Sequence, residues 1–280
     1  MNHLRRLFLL NASAFACSAV LASEETFTTM RPAADVSGKP YDVDRKFNAD
    51  GSVRKFPGNT MISHIPLATP ASNALIAVRN TLKQRPFGHA LAFTPPSSYH
   101  MTVFEGVIDV LRKPGYWPAD LPADAPLDVC TQHFEEKLAG FRLDTRLPLR
   151  MRISDFNLHR DSGATIRLAP VDASEDRKIR RLRDRLSDLL QIRAPDHAQY
   201  GFHVTLAYLT AWMSEAESED YAAAQRTCLT YLQNRVPVIE FGAPEFCVFN
   251  DMLAFDTQFV IGEPPRLVAL TASRQSNAEQ

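Results

Sequence analysis

The spacing of apolar and polar positions divides the chain into short strands and amphipathic helices. Residues 60–65 read as a strand. Over residues 70–83, Leu75, Ile76, Val78 and Leu82 recur at helical spacing, which predicts a helix. Residues 89–93 read as a second strand and 99–104 as a third, separated by Pro95-Pro96-Ser97-Ser98. Prolines at 114, 118, 122, 126 and 148 mark residues 112–148 as a connector, with one helix near 127–141. A second series follows. Residues 150–158 and 164–169 read as strands around the turn Asp161-Ser162-Gly163. Over 174–190, Ile179, Leu182, Leu186, Leu189 and Leu190 share one helical face. The basic run from Arg177 to Arg183 is placed on the solvated faces of that helix. Residues 200–209 read as a strand and 216–234 as a helix. Residues 237–241, 245–249 and 252–261 read as strands, with a tight hairpin at Asn250-Asp251. Two halves, about 58–111 and 149–262, repeat one order: strand, helix, then a strand carrying His-x-Thr.

The ends differ from this pattern. Residues 1–22 hold Arg5 and Arg6, no acidic residue, and an apolar run ending in Val20-Leu21-Ala22. That is the layout of a secretory signal, and the adjacent arginines resemble a twin-arginine signal. The expectation is an exported, periplasmic protein with no membrane attachment in its mature form. Residues 23–57 read as an irregular extension, 58–270 as the folded domain, and 271–280 as a disordered tail.

Composition narrows the function classes. Of 280 residues, 31 are Lys or Arg and 32 are Asp or Glu, giving a net charge of −1 with 45% hydrophobic residues. This excludes wholesale disorder, collagen and coiled coil. Long nucleic acid as a partner is not expected, because tracking its backbone wants a strongly basic face. A small nucleotide or oligonucleotide remains open, and a monomer is expected. After residues 1–22, three cysteines remain, Cys130, Cys228 and Cys247. None has metal-ligand spacing, so they read as buried thiols and no zinc site is expected.

The chemistry lies in His100, Thr102, His203 and Thr205. Alternate side chains of a strand share a face, so each histidine points the same way as its threonine. Tyr99, Met101 and Val103, and likewise Phe202, Val204 and Leu206, form the opposite, greasy face. Two such strands would arise from composition about once in a thousand shuffles. Hydrolysis of a cyclic phosphodiester needs a base for water and an acid for the departing ribose oxygen. Two imidazoles across one phosphorus supply both. Each threonine hydroxyl can donate to a non-bridging phosphate oxygen. No metal or cofactor is called for.

The segments YHMTVF and FHVTLAYL resemble the paired strands of the two-histidine (2H) phosphoesterase superfamily, which includes RNA 2′,3′-cyclic phosphodiesterases once called 2′-5′ RNA ligases. The similarity runs from about residue 59 to 261. It implies an α+β fold: two lobes of antiparallel sheet with outer helices, pseudo-twofold about a central cleft. It implies catalytic roles for His100 and His203 and phosphate contacts for Thr102 and Thr205. Acid and base are not distinguished, with His100 as acid the reading leaned to. The extension and long connector depart from the best-studied members.

Other candidates weigh less. Phe104 falls on the catalytic face if the strand continues, where it could stack on a base. Tyr208 falls on the core face unless a bulge turns it. Arg167 could reach phosphate but reads as surface. Tyr116 and Trp117 read as loop packing before a lid. His64, His89, His133 and His159 read as structural or exposed. The expected activity is that of a metal-independent cyclic phosphodiesterase, a hydrolase of phosphoric diesters. The alternative is a non-catalytic phosphate-binding protein on the same scaffold.

Overall fold

A computed structural model describes residues 38–157 and 163–262. The proposed leader, the distal tail, His159 and the start of the 161–163 turn lie outside the described residues. The strands are β1 Gly58–His64, β2 Leu91–Phe93, β3 His100–Ile108, β4 Leu149–Phe156, β5 Ala164–Pro170, β6 His203–Leu209, β7 Ile239–Phe241, β8 Glu245–Phe249 and β9 Asp256–Val260. The helices are α1 Pro70–Lys83, α2 Leu127–Ala139, α3 Ala173–Leu190 and α4 Glu215–Arg235.

Local chemistry sets the helix starts. Thr69 and Ser72 form a capping box before α1, with proline in its first turn. Asp172 accepts the amides of Ser174 and Glu175 before α3. Ser214 and Glu217 form a second capping box before α4. The stripes expected for α1 and α3 face the core, with Ile76 and Leu189 only partly buried.

The strands form two antiparallel sheets, ordered β3-β1-β8-β9 and β2-β6-β5-β4-β7. The fold is α+β with duplicated sheets. The run β3-β1-β8-β9 matches β6-β5-β4-β7 position by position, with β3 beside β1 and β6 beside β5. The sheets do not follow the halves read along the chain. β2 crosses to pair with β6, and β8 and β9 return to extend β1. Strand order is a matter of long-range pairing, which periodicity does not encode.

One apolar core runs through both lobes. Tyr99, Met101, Val103, Phe202, Val204 and Leu206 all lie in it, at most 2% exposed. The three cysteines are buried free thiols. Residues 89–90 belong to a short 3₁₀ turn, Pro86–Ala90, not to β2. The β8–β9 pair is an antiparallel hairpin, but residues 250–255 form a longer loop instead of a tight turn at Asn250-Asp251. That loop carries Met252 and Phe255 toward the cleft.

The described part of the extension, residues 38–57, is packed against the domain. Phe47 and Phe56 join Ala92, Phe249 and Met252 in a second apolar cluster. Among the described residues no helix is long and apolar enough to cross a membrane. Phe47 is 1% exposed, so Phe47→Ala should cost about 3 kcal/mol in urea unfolding. A midpoint equal to that of the parent would show that the extension is mere decoration.

Candidate functional site

β3 opens on His100 and β6 on His203. For three residues each strand alternates as expected, with Met101 and Val204 in the core and the His and Thr toward the cleft. Then each strand gains an extra residue. Ile62 faces Thr102, but the neighbouring Met61 faces Phe104, leaving Val103 as a bulge. Thr165 faces Thr205, but Ala164 faces Ala207, leaving Leu206 as a bulge. A bulge shifts the phase of everything after it. Two consecutive residues therefore enter the core, Val103 with Phe104 and Leu206 with Ala207. The fifth residue after each histidine, Glu105 and Tyr208, turns to the cleft. Just beyond, Gly106 lets the backbones close up. A Cβ there would collide with Asn59, whose side-chain oxygen accepts the Val107 amide at 3.1 Å.

Between the sheets lies a cavity of about 240 Å³, lined by His100, Thr102, Glu105, His203, Thr205 and Tyr208. The two imidazoles are held alike. His100 Nδ1 lies 2.7 Å from the Ser98 carbonyl oxygen, and His203 Nδ1 lies 3.0 Å from that of Gly201. A carbonyl only accepts, so both Nδ1 atoms carry hydrogen. Nε2 is then the titrating nitrogen of each ring. Thr102 interacts with the Tyr200 hydroxyl and Thr205 with that of Tyr208. The Phe255 ring meets His100 edge-on with centroids 4.4 Å apart.

Burial pushes the His100 pKa down to about 4, and the charges of His64 and His203 push the same way. Ser98 and Glu245 oppose this without reversing it. Burial likewise pushes Tyr200 and Tyr208 up, so both stay neutral hydroxyls. Lys46, from the extension, also lines the cavity. Burial works against its charge, but Tyr208 and Asp42 outweigh that and hold its pKa above the ordinary value. Its ammonium sits 3.2 Å from Asp42 and 4.8 Å over the Tyr208 ring.

A family model described as a 2H-phosphodiesterase domain of unknown function (DUF1868) matches residues 46–161, which include the first His-x-Thr strand. A crystal structure of a conserved protein of unknown function from Agrobacterium tumefaciens is 31% identical. The match covers 83% of this chain and 97% of that one, with a TM-score of 0.76. The chain belongs to the 2H phosphodiesterase family. No curated protein matches it. Family membership carries a phosphoesterase-like function, and leaves the substrate to be argued from the site.

In this member of the family all four motif residues meet in one cavity. The weaker candidates sort differently. Phe104 touches the cavity but is 2% exposed within the core, because the Val103 bulge sends it there. Its expected place on the catalytic face goes to Glu105. Tyr208 is the reverse: read as core by strict alternation, it faces the cleft. Arg167 stands across from His203 in the sheet. Its side chain is 46% exposed, 3.8 Å from Asp155, and outside the cavity lining. Tyr116 lines the cavity, while Trp117 is buried and donates to the Pro122 carbonyl at 2.9 Å. His89 and His133 pair with Glu217 and Asp120 at the surface.

Several site residues escaped the sequence reading. Arg183, read as part of a solvated face, is 1% exposed and lines the cavity. Its spacing to Ile179 and Leu186, four and three residues away, was the available signal. His64 pairs with His100 across β1–β3, with ring centroids 6.1 Å apart, and its Nδ1 lies 3.0 Å from Glu245. Glu245, Cys247 and His64 bring ligand-type atoms within 4.8 Å of one another, a grouping from two strands that chain spacing does not reveal.

Because His100 is held neutral, folding stability should fall as pH drops from the ordinary histidine value (~6.5) to about 4, and level off below. Titration of its ring protons by NMR should give a midpoint near 4. A midpoint at the ordinary histidine value would contradict the desolvation of this ring.

Proposed function

We propose that the protein hydrolyses 2′,3′-cyclic phosphates or 2′-5′ linkages of nucleotides and short oligonucleotides by two-histidine acid–base catalysis. The observation that carries this is the matched pair of imidazoles, each with Nδ1–H tied to a carbonyl and each beside a threonine, on one cavity. Family membership supports the reaction class.

The two rings have the same tautomer, so protonation and not orientation separates their roles. His100, neutral at working pH, is the base, the reverse of the leaning taken from sequence. His203, the other imidazole of the pair, is then the acid. Water gives a proton to His100 Nε2 while its oxygen bonds to phosphorus. The bond from phosphorus to one ribose oxygen breaks, and that oxygen takes the proton from His203 Nε2. The product is a nucleoside monophosphate, and proton exchange with solvent resets both rings. Thr102 and Thr205 donate to the non-bridging oxygens, where charge builds in the transition state. Tyr200 and Tyr208 stand beside those hydroxyls. Lys46 adds a positive charge at the same cavity. Export through residues 1–22 would set this chemistry in the periplasm, on small fragments of RNA.

His100→Ala and His203→Ala should each lower kcat/KM on 2′,3′-cyclic nucleotides by about 10²–10⁴-fold. Unchanged turnover in both variants removes the proposal. The pH profile of kcat/KM should be a bell whose acid limb, belonging to His100, falls near 4. Activity is lost below that limb, when the base is protonated, and above the alkaline limb, when His203 has given up its proton. An acid limb that stays put in His100→Gln would take the base role from His100.

A further inference from the structure

The cavity continues past the motif residues to a wall carrying two opposite charges. Glu105 is brought there by the Val103 bulge, three residues beyond Thr102 and so about 10 Å along the strand. That is comparable to the reach from a ribose phosphate to the far edge of its base. Glu105 is open to the cleft and yet desolvated by its walls. Arg183 enters from α3. Its guanidinium lies 4.0 Å over the Tyr200 ring, and Nη1 donates to the Val103 carbonyl at 2.7 Å. Its Nε is buried without a partner, and among the described residues no hydrogen bond uses Nη2.

Glu105 and Arg183 feel each other's charge, but no ion pair joins them among the described residues. Burying a guanidinium without joining it to a carboxylate is costly. Both side chains line the cavity, and Tyr116, Ile192 and Ala194 add aromatic and apolar surface to it. An acceptor and a donor in one such cavity suit the edge of a planar heterocycle.

We propose that Glu105 and Arg183 read the base of a guanine nucleotide, Glu105 accepting from N1–H and N2–H and Arg183 donating to O6. This rests on the nucleotide phosphodiesterase reading above. Guanine fits because it alone sets two N–H donors side by side, next to a carbonyl oxygen. A carboxylate accepts two parallel donors, and a guanidinium matches the oxygen beside them. Adenine and cytosine offer one amino group flanked by a bare ring nitrogen, which would face the carboxylate with a lone pair. Uracil offers one N–H between two carbonyls, one of which would face the carboxylate.

The test compares kcat/KM for the four 2′,3′-cyclic nucleotides, with wild type and with Glu105→Gln. Glu105 is open to the cleft and outside the core, so the substitution spares packing. Wild type should prefer the guanosine substrate over uridine by about 10–100-fold, and Glu105→Gln should bring that ratio close to one. A second arm measures calorimetric binding of 2′- and 3′-guanosine monophosphate against the uridine monophosphates. Turnover with equal rates on all four bases, or a guanosine preference untouched by Glu105→Gln, overturns the base subsite and leaves the phosphodiesterase standing. Selective guanosine monophosphate binding, lost in Glu105→Gln, without turnover of any cyclic nucleotide keeps the subsite and removes the reaction. Neither binding selectivity nor turnover removes both.

Discussion

The site depends on the phase of two strands. Each must turn an apolar face to a close-packed core, and the same strand must present polar groups to a cleft. Strict alternation would do this from end to end, but both strands break it at one place. The bulges at Val103 and Leu206 each send two consecutive apolar residues inward and bring the fifth residue after histidine into the cleft. The repeated bulge makes Glu105 and Tyr208 structural counterparts with different chemistry. One lobe offers a carboxylate and the other a hydroxyl backed by Lys46. A symmetric scaffold thereby acquires an asymmetric pocket, as needed to hold a substrate whose two ends differ.

Burial then acts on His100, one of two rings that are held alike. His100 and His203 share the same Nδ1–carbonyl bond, two residues back in the chain. Nothing in that bond distinguishes base from acid. The burial of His100, with His64 at its edge, favours the neutral ring. Arg183 bears a similar cost, lowering its pKa, and is compensated by the Tyr200 face and one backbone carbonyl.

Elements distant in sequence close the cavity. The β2 exchange ties the lobes together, and α3 packs against β3 of one sheet and β4 and β5 of the other. The extension pins Phe47 and Phe56 under the β8–β9 loop and so delivers Lys46. Residues that look peripheral along the chain are therefore part of the cavity wall.

The sequence by itself determined the elements, the two greasy strand faces and the four motif residues. Each of these is local, written in a period of two or 3.6 residues and in capping side chains. It also carried the duplication, since His-x-Thr recurs after the same order of elements. Only the tertiary structure decided which strands pair, where the bulges fall, and hence that Phe104 goes inward while Glu105 and Tyr208 come out. Register is a property of two strands at once, and a single extra residue inverts every face beyond it. The same holds for Arg183 and His64. One sits within a run of basic residues and the other at a strand end, and the neighbours that give them meaning lie 80 and 181 residues away.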